Sequence, residues 1–214
     1  MAFAQIAWEE KQAAIAELKH IEEQFAARGW LPGASGSLSA RVGAYTPDTY
    51  YFAMTSSCKD KSVHTSENFL FVDASGEPCE TTSLMPSADT SIHAKIYRMT
   101  GCGAIFHVHT VFSSLISEYY GDHGFIPTQS NELLKELGLW EKNAKIAIPI
   151  LPNYADIPSI AKLVPEAIHP DIPGIVLRNH GIYAWGSNPF EAKRRLEAFE
   201  FIFELEYRWL ALLR

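Results

Sequence analysis

The sequence predicts one α/β domain with a central, largely antiparallel sheet, and three observations predict it. Apolar residues recur at helical spacing near both ends of the chain: Ala14, Leu18, Ile21 and Phe25, then Leu196, Phe199, Phe203, Tyr207 and Leu210. Between them, short apolar runs are bounded by turn residues, as strands are. Across the 214 residues there is no repeat, low-complexity tract or linker, so positions 1–214 read as a single domain long enough to bury a proper core.

The elements follow in chain order. Residues 7–28 form an amphipathic helix that Gly29 ends and Pro32-Gly33 breaks off. Residues 33–41 (GASGSLSAR) read as a turn-rich segment. Tyr50–Thr55 is a strand, 56–61 a polar loop, and Phe69–Val72 a second strand turned at Asp73–Gly76. Ser87–Thr100 is helical after Pro86 and leads into an apolar strand through residues 103–109. Val111–Tyr119 is helical, and Asn131–Leu139 is a short helix closed near Gly138. Lys145–Ile150 is a strand whose Pro149 suggests an edge or an end. Ile157–Ile168 is a helix; Gly174–Arg178 and Ile182–Trp185 are strands flanking Asn179-His180-Gly181. The last helix has Asn188 as N-cap, Pro189 at its first position, and Glu191 placed to reach back as in a capping box.

Composition excludes several classes. Apolar residues make up 47% and charged residues 20%, which suits an ordinary globular protein. Eighteen basic against 25 acidic residues give −7, with no basic stripe, so nucleic acid is not an expected partner. Cys58, Cys79 and Cys102 are odd in number and lack a CxxC spacing, which points to a reducing compartment rather than a disulfide scaffold. Glu9, Glu10 and Lys11 break up the N-terminus, and the longest uncharged stretch, 99–117, carries glycines and histidines. The expectation is therefore a cytoplasmic protein with no membrane partner.

The chemistry concentrates on His107 and His109. Residues two apart on a strand point the same way, so both imidazoles would converge on one side while Val108 packs on the other. Such a pair suits a divalent metal at ~2.0–2.1 Å, or is simply two ordinary histidines near a strand end. His180, at the junction of two apolar strands and followed by Gly181, can complete a three-histidine site with an open position. His93, on the preceding helix, reads as packing or as support for the metal site. His20, His64, His123 and His169 fall on helix faces or loops and read as ordinary. Asp89 either caps a helix or serves a site, and Glu132 is either a first-turn residue or an acid/base. Ser35-Gly36-Ser37, Thr55-Ser56-Ser57 and Pro86-Ser87, with Lys59 and Lys61, are loops of the kind that hold phosphate, though turn chemistry alone also places serines there.

Taken together, His107-Val108-His109-Thr110, Pro86-Ser87-Ala88 followed by Asp89 and His93, and Arg178-Asn179-His180-Gly181-Ile182-Tyr183-Ala184-Trp185-Gly186 resemble the class II aldolase/adducin family. Arg28-Gly29-Trp30 and the run 197–204 are similar to its dehydratase branch, and the resemblance covers nearly the whole chain. It implies a three-layer α/β/α class II aldolase-like domain around a mainly antiparallel sheet, assembled as a homotetramer. It also implies one zinc ion per subunit on His107, His109 and His180, with Glu132 as the catalytic acid/base. Asp89, Ser37, Thr55, Ser57, Lys61 and Ser87 would then bind a phosphorylated ketose. The implied reaction is zinc-dependent dehydration of a 1-phosphorylated 2-ketose bearing a methylthio group, yielding a 2,3-diketone, in methionine salvage. Phe106, Tyr119 and Tyr183 are aromatics available to the methylthio end. A sugar-phosphate aldolase or a ribulose-phosphate 4-epimerase shares such a site, and Asp89, where the dehydratases carry glutamate, keeps the epimerase in view. A non-catalytic adducin-like interaction module is the alternative from another class.

Overall fold

The computed structural model describes residues 2–61, 63, 65 and 67–213, so His64 lies outside the described residues. Its strands are β1 (Ser37–Thr46), β2 (Thr49–Thr55), β3 (Phe69–Asp73), β4 (Ala104–Val108), β5 (Phe125–Pro127), β6 (Ala147–Leu151), β7 (Gly174–Leu177) and β8 (Gly181–Gly186). They form one sheet in the order β3-β2-β1-β4-β8-β7-β6-β5. The pairs are antiparallel except β6 with β7, which run parallel. The helices are α1 (Trp8–Ala27), α2 (Thr90–Thr100), α3 (Val111–Tyr119), α4 (Ile157–Ala167) and α5 (Pro189–Leu212).

Alternation along the central strands splits the apolar residues between two layers. Leu38, Ala40, Phe106, Val108, Ile182 and Ala184 bury against Leu18, Ile21 and Phe25 of α1 and Leu196, Phe199 and Phe203 of α5. The opposite face sends Phe52, Met54, Ile105, Ile175 and Trp185 against Ile92 and Ile96 of α2 and Ile160 and Val164 of α4. Each of the valine, leucine, isoleucine, methionine and phenylalanine side chains, fully buried, contributes roughly 1.5–3 kcal/mol, and the two layers make the sheet the middle of an α/β/α sandwich. No helix among the described residues is long and apolar enough to cross a membrane.

Local chemistry sets the helix ends. Gly29 leaves α1 with φ +70°, a conformation that favours glycine. Asn188 accepts the Glu191 amide at 2.9 Å as the N-cap of α5. Glu191 reaches back, but to the amide of Ser187, at 2.6 Å, one residue before the cap.

Four expectations need correction. Residues 37–41 are strand, not turn, because Ser37 and Ser39 are buried with their hydroxyls hydrogen-bonded to His93 while Leu38 and Ala40 pack on the other face. Helix α2 starts at Thr90 rather than Ser87; residues 87–89 form a turn closed by the Thr90 amide on the Ser87 carbonyl at 3.0 Å. The short helix is a 3-10 helix over Glu132–Leu137, opened by Asn131 and closed by Gly138. Strand β6 is not an edge: β5, three residues long and too short to show a period, lies outside it. Pro149 is tolerated because it sits opposite Phe125 and the ladder to β7 begins one residue later, at Ile150.

Helix α5 also buries a carboxyl. Glu200 Oε2 accepts the Thr110 hydroxyl at 2.6 Å, and its Oε1 has no hydrogen-bond partner among the described residues. Burial raises this carboxyl from 4.5 to about 8. The folded chain then keeps Glu200 neutral over a range in which the unfolded chain ionises it, so stability is lost as pH rises from 4.5 to about 8. Glu200→Gln removes that titration. Urea denaturation across this range should show wild type losing stability relative to the variant, with no further divergence above it. Parallel stability curves for the two proteins would overturn this account.

Candidate active site

The site begins with the pairing of β4 and β8, in which His107 stands opposite Tyr183 and Val108 opposite Ile182. Phe106 and Val108 point into the layer under α1 and α5, which leaves His107 on the other face. His109 lies one residue past β4, with its amide donating to the Trp30 carbonyl at 3.0 Å. His180 sits in the turn between β7 and β8. That turn is tied to α3: the Asn179 amide donates to Ser117 Oγ at 2.9 Å, and Ser114 Oγ donates to the His180 carbonyl at 3.3 Å. Arg178 adds ion pairs to Glu118 and Asp122, both at 2.8 Å. Gly181 is required beside the cluster, since a Cβ there would strike the Val108 carbonyl and come within 3.0 Å of the His107 and His109 rings.

The three histidines each bring one ring nitrogen within 4.8 Å of the others. The His107 and His109 Nε2 atoms are 2.9 Å apart. His107 Nδ1–H donates to the Ile182 carbonyl at 3.0 Å, and His180 Nδ1–H donates to Asn153 Oδ1 at 3.2 Å. Those outer partners leave Nε2 of both rings bearing a lone pair. Burial pushes His107 and His180 below the usual histidine range and takes His109 to about 4. Three neutral, nitrogen-presenting imidazoles are a donor set that fits a divalent metal ion. A cavity of about 790 Å³ opens over His109 and His180, lined also by Thr110, Val111, Asn153 and Tyr154, with His107 buried.

Asp89 stands beside this cluster. It occupies the N-cap position of α2, but its side chain makes no capping hydrogen bond. Instead Oδ1 accepts the Tyr183 hydroxyl at 2.9 Å and Oδ2 accepts the Ser37 hydroxyl at 3.1 Å. Burial works to raise this carboxyl, yet the His107 and His93 rings and the Tyr183 hydroxyl outweigh it and hold Asp89 below its usual range.

The serine loops join the site around Asp89. Ser87 Oγ lies 3.5 Å from Asp89 Oδ2, and the Ser87 amide donates to the Thr55 carbonyl at 3.1 Å. Ser57 is half-buried, its amide donating to the Met85 carbonyl at 2.8 Å. Ser37 and Thr55 are buried rather than open to a ligand, and Thr55 Oγ1 is committed to the Leu38 amide at 3.2 Å. Lys61 is buried with Nζ donating to the Ala34 carbonyl at 2.8 Å; burial lowers its ammonium against the pull of Glu22 and Asp89.

Glu132 is not brought to the histidines within this chain. Its side chain is 78% exposed and pairs with Lys135 at 2.7 Å. It lines a separate depression with Trp140 and Asn143, in which no histidine takes part.

Tyr183 is the residue whose role sequence reasoning missed. Its ring stacks on His107 with centroids 3.9 Å apart and 5° between planes, while its hydroxyl holds Asp89. The signal was present: Tyr183 follows His180 by three residues on a strand beside the histidine strand. Of the aromatics offered to a methylthio group, Phe106 lies in the core, Tyr183 is buried behind His107 and Tyr119 is exposed on α3. None of the three lines the cavity over the histidines, whereas Tyr154 does.

The chain matches the Class II Aldolase and Adducin N-terminal domain over residues 16–207. It is 45% identical to a methylthioribulose-1-phosphate dehydratase of Persephonella marina, over 92% of this chain and 90% of that one. It is 47% identical to a protein of the same name from Bacillus subtilis, over 90% and 91% of the two chains. Among solved structures, L-fuculose-1-phosphate aldolase from Thermus thermophilus shares the fold with a TM-score of 0.71 and 22% identity, over 95% of this chain and 98% of that one. The chain belongs to the class II aldolase and adducin family.

Proposed function

We propose that this chain removes water from methylthioribulose 1-phosphate, giving the 2,3-diketo-5-methylthiopentyl phosphate as a step of methionine salvage in the cytoplasm. The observation that carries the reading is near end-to-end identity of 45–47% with dehydratases of that name. The cluster of His107, His109 and His180 beside Asp89 supports it.

His107, His109 and His180 would hold one zinc ion per subunit, since three nitrogen donors suit zinc. When bound, the ion acts as a Lewis acid on the ketose carbonyl oxygen. The remaining work falls to the protein. Asp89, ionised and held by two donors, accepts a hydrogen bond from a substrate hydroxyl and orients it. Ser57 and Ser87 receive the phosphate, the buried Lys61 ammonium lends its positive charge from behind the loop, and Ser37 and Thr55 brace the loops. Glu132 removes the C3 proton and protonates the departing C4 hydroxyl, so one water leaves and the resulting enol becomes a ketone. Glu132 lines a different depression from the histidines, and we therefore assign it to the site of a neighbouring copy in a homotetramer.

The product distinguishes this reaction from its relatives. Mass spectrometry of a metal-loaded reaction should show one product lighter than substrate by a single water, with solvent deuterium taken up as the enol ketonises. Dihydroxyacetone phosphate would indicate aldol cleavage and an isobaric product epimerisation; either overturns the dehydratase.

Metal binding is tested separately. His180→Ala leaves two imidazoles, which hold zinc far less well than three. Elemental analysis should find the variant emptied, and a full complement of zinc in it would overturn the ligand set.

Glu132→Gln should keep the metal and lower turnover by roughly two to four powers of ten. Mixing it with His180→Ala before reassembly should restore activity, because each variant supplies what the other lacks. A near-normal rate in Glu132→Gln would transfer the acid/base role to Asp89, and mixtures that stay inactive would overturn the assignment to a neighbouring copy.

A further inference from the structure

His93 is fully buried on α2, and its two nitrogens lie in one chain of hydrogen bonds ending on Asp89. Counting hydrogens fixes the direction of that chain. The Asp89 carboxylate can only accept, so Ser37 gives its one hydroxyl hydrogen to Oδ2 at 3.1 Å. Ser37 Oγ must then accept from His93, whose Nε2 is 3.0 Å away and therefore carries the ring hydrogen. Nδ1 of the neutral ring is left as an acceptor, and Ser39 Oγ donates to it at 2.7 Å. Ser39, with its hydrogen committed, accepts from the Tyr97 hydroxyl at 2.8 Å. The relay runs from Tyr97 through Ser39, His93 and Ser37 to Asp89. Every relay member ahead of Asp89 is buried, so no link has solvent as a substitute partner. Burial takes His93 to about 4, which keeps the ring neutral, as the relay requires.

We infer that His93 is a positioning residue that sets the direction of the Asp89 carboxylate through Ser37, rather than supporting the metal ligands. Asp89 is clamped on its other oxygen by Tyr183, whose ring lies on His107. Removing the His93 donor frees the Ser37 hydroxyl to turn away and leaves Asp89 to Tyr183 and the long contact from Ser87 at 3.5 Å. The inference rests on Asp89 orienting substrate in the proposed dehydration.

Glutamine at 93 can place an amide N–H near the Nε2 position, whereas leucine offers neither donor nor acceptor. Nitrogen-15 spectra of wild type should show His93 as the Nε2–H tautomer. His93→Leu should retain its metal and lose roughly 10- to 100-fold in kcat on methylthioribulose 1-phosphate, and His93→Gln should recover most of that. In an Asp89→Asn background His93→Leu should cost nothing further, because its effect passes through that carboxylate. An Nδ1–H tautomer would overturn the relay. Equal losses in both backgrounds, or loss of metal, would make His93 structural while leaving Asp89's role intact. A wild-type rate in Asp89→Asn alone would overturn the role of Asp89, and that of His93 with it.

Discussion

Antiparallel pairing of β4 with β8 is the constraint on which the site depends. It sets His107 against Tyr183, and it brings the turn carrying His180 to the end of the strand that leads to His109. Side chains alternate faces, so a slip of one residue would turn His107 into the apolar layer under α1 and α5 and send Phe106 and Val108 to the face of α2. The apolar load on Phe106 and Val108 opposes that slip, because burial of each is worth roughly 1.5–3 kcal/mol. The catalytic geometry is therefore maintained by residues that take no part in the chemistry. Gly181 is the exception, since its missing side chain is what admits the Val108 carbonyl and the two imidazoles.

Behind the histidines the apolar layer under α2 encloses a group of buried polar side chains, which is costly unless each of them is satisfied. An unsatisfied buried donor or acceptor costs about 1–3 kcal/mol, so Ser37, Ser39, His93, Tyr97 and Tyr183 are tolerable only as a connected set. The set is closed by a carboxylate that can accept from two sides. Asp89 is thus both the terminus of a buried network and a group beside the histidines, and the network that offsets the cost of its burial also fixes its orientation. Glu200 shows the contrary case: with one oxygen unpartnered, burial acts on it unopposed except by Thr110, and the carboxyl is driven toward its neutral form.

Much of this was legible in the sequence, for reasons particular to each element. Helix α5 announced itself through Asn188, Pro189 and its apolar stripe, and the histidine strand through the run leading to Val108. The α/β class with a central, largely antiparallel sheet followed from such elements, whereas the three-layer arrangement came from the resemblance to the class II aldolase/adducin family. Strand β1 was not legible because one of its two buried faces carries serines, which local chemistry assigns to turns until the partners His93 and Tyr97 are known. Asp89 looked like a cap by position, and only the tertiary approach of Tyr183 and Ser37 shows that its carboxylate is engaged elsewhere. Glu132 shows the opposite limit: its position alone fits a first-turn residue, the family resemblance implies an acid/base, and the fold of a single chain leaves it in the open, paired with Lys135.

On the proposed reading, reaction choice resides in the carboxyls rather than in the metal. A metal on three imidazoles polarises a ketose carbonyl equally well for elimination, for carbon–carbon cleavage and for epimerisation, so the β4–β8 scaffold cannot by itself select among them. Selection has to come from which carboxyl meets which proton or hydroxyl. In this chain the two carboxyls are built in unlike ways. Asp89 is half-buried, ionised and held on both oxygens, which suits a fixed acceptor that orients a hydroxyl. Glu132 stands on a short 3-10 helix, 78% exposed in the single chain and paired with Lys135, which suits a group offered to the site of a neighbouring copy. On the proposed reading, Asp89 as a rigid acceptor and Glu132 as the acid/base would divide the tasks that elimination demands, since the proton taken from C3 must be delivered to a leaving hydroxyl while the rest of the substrate stays in place.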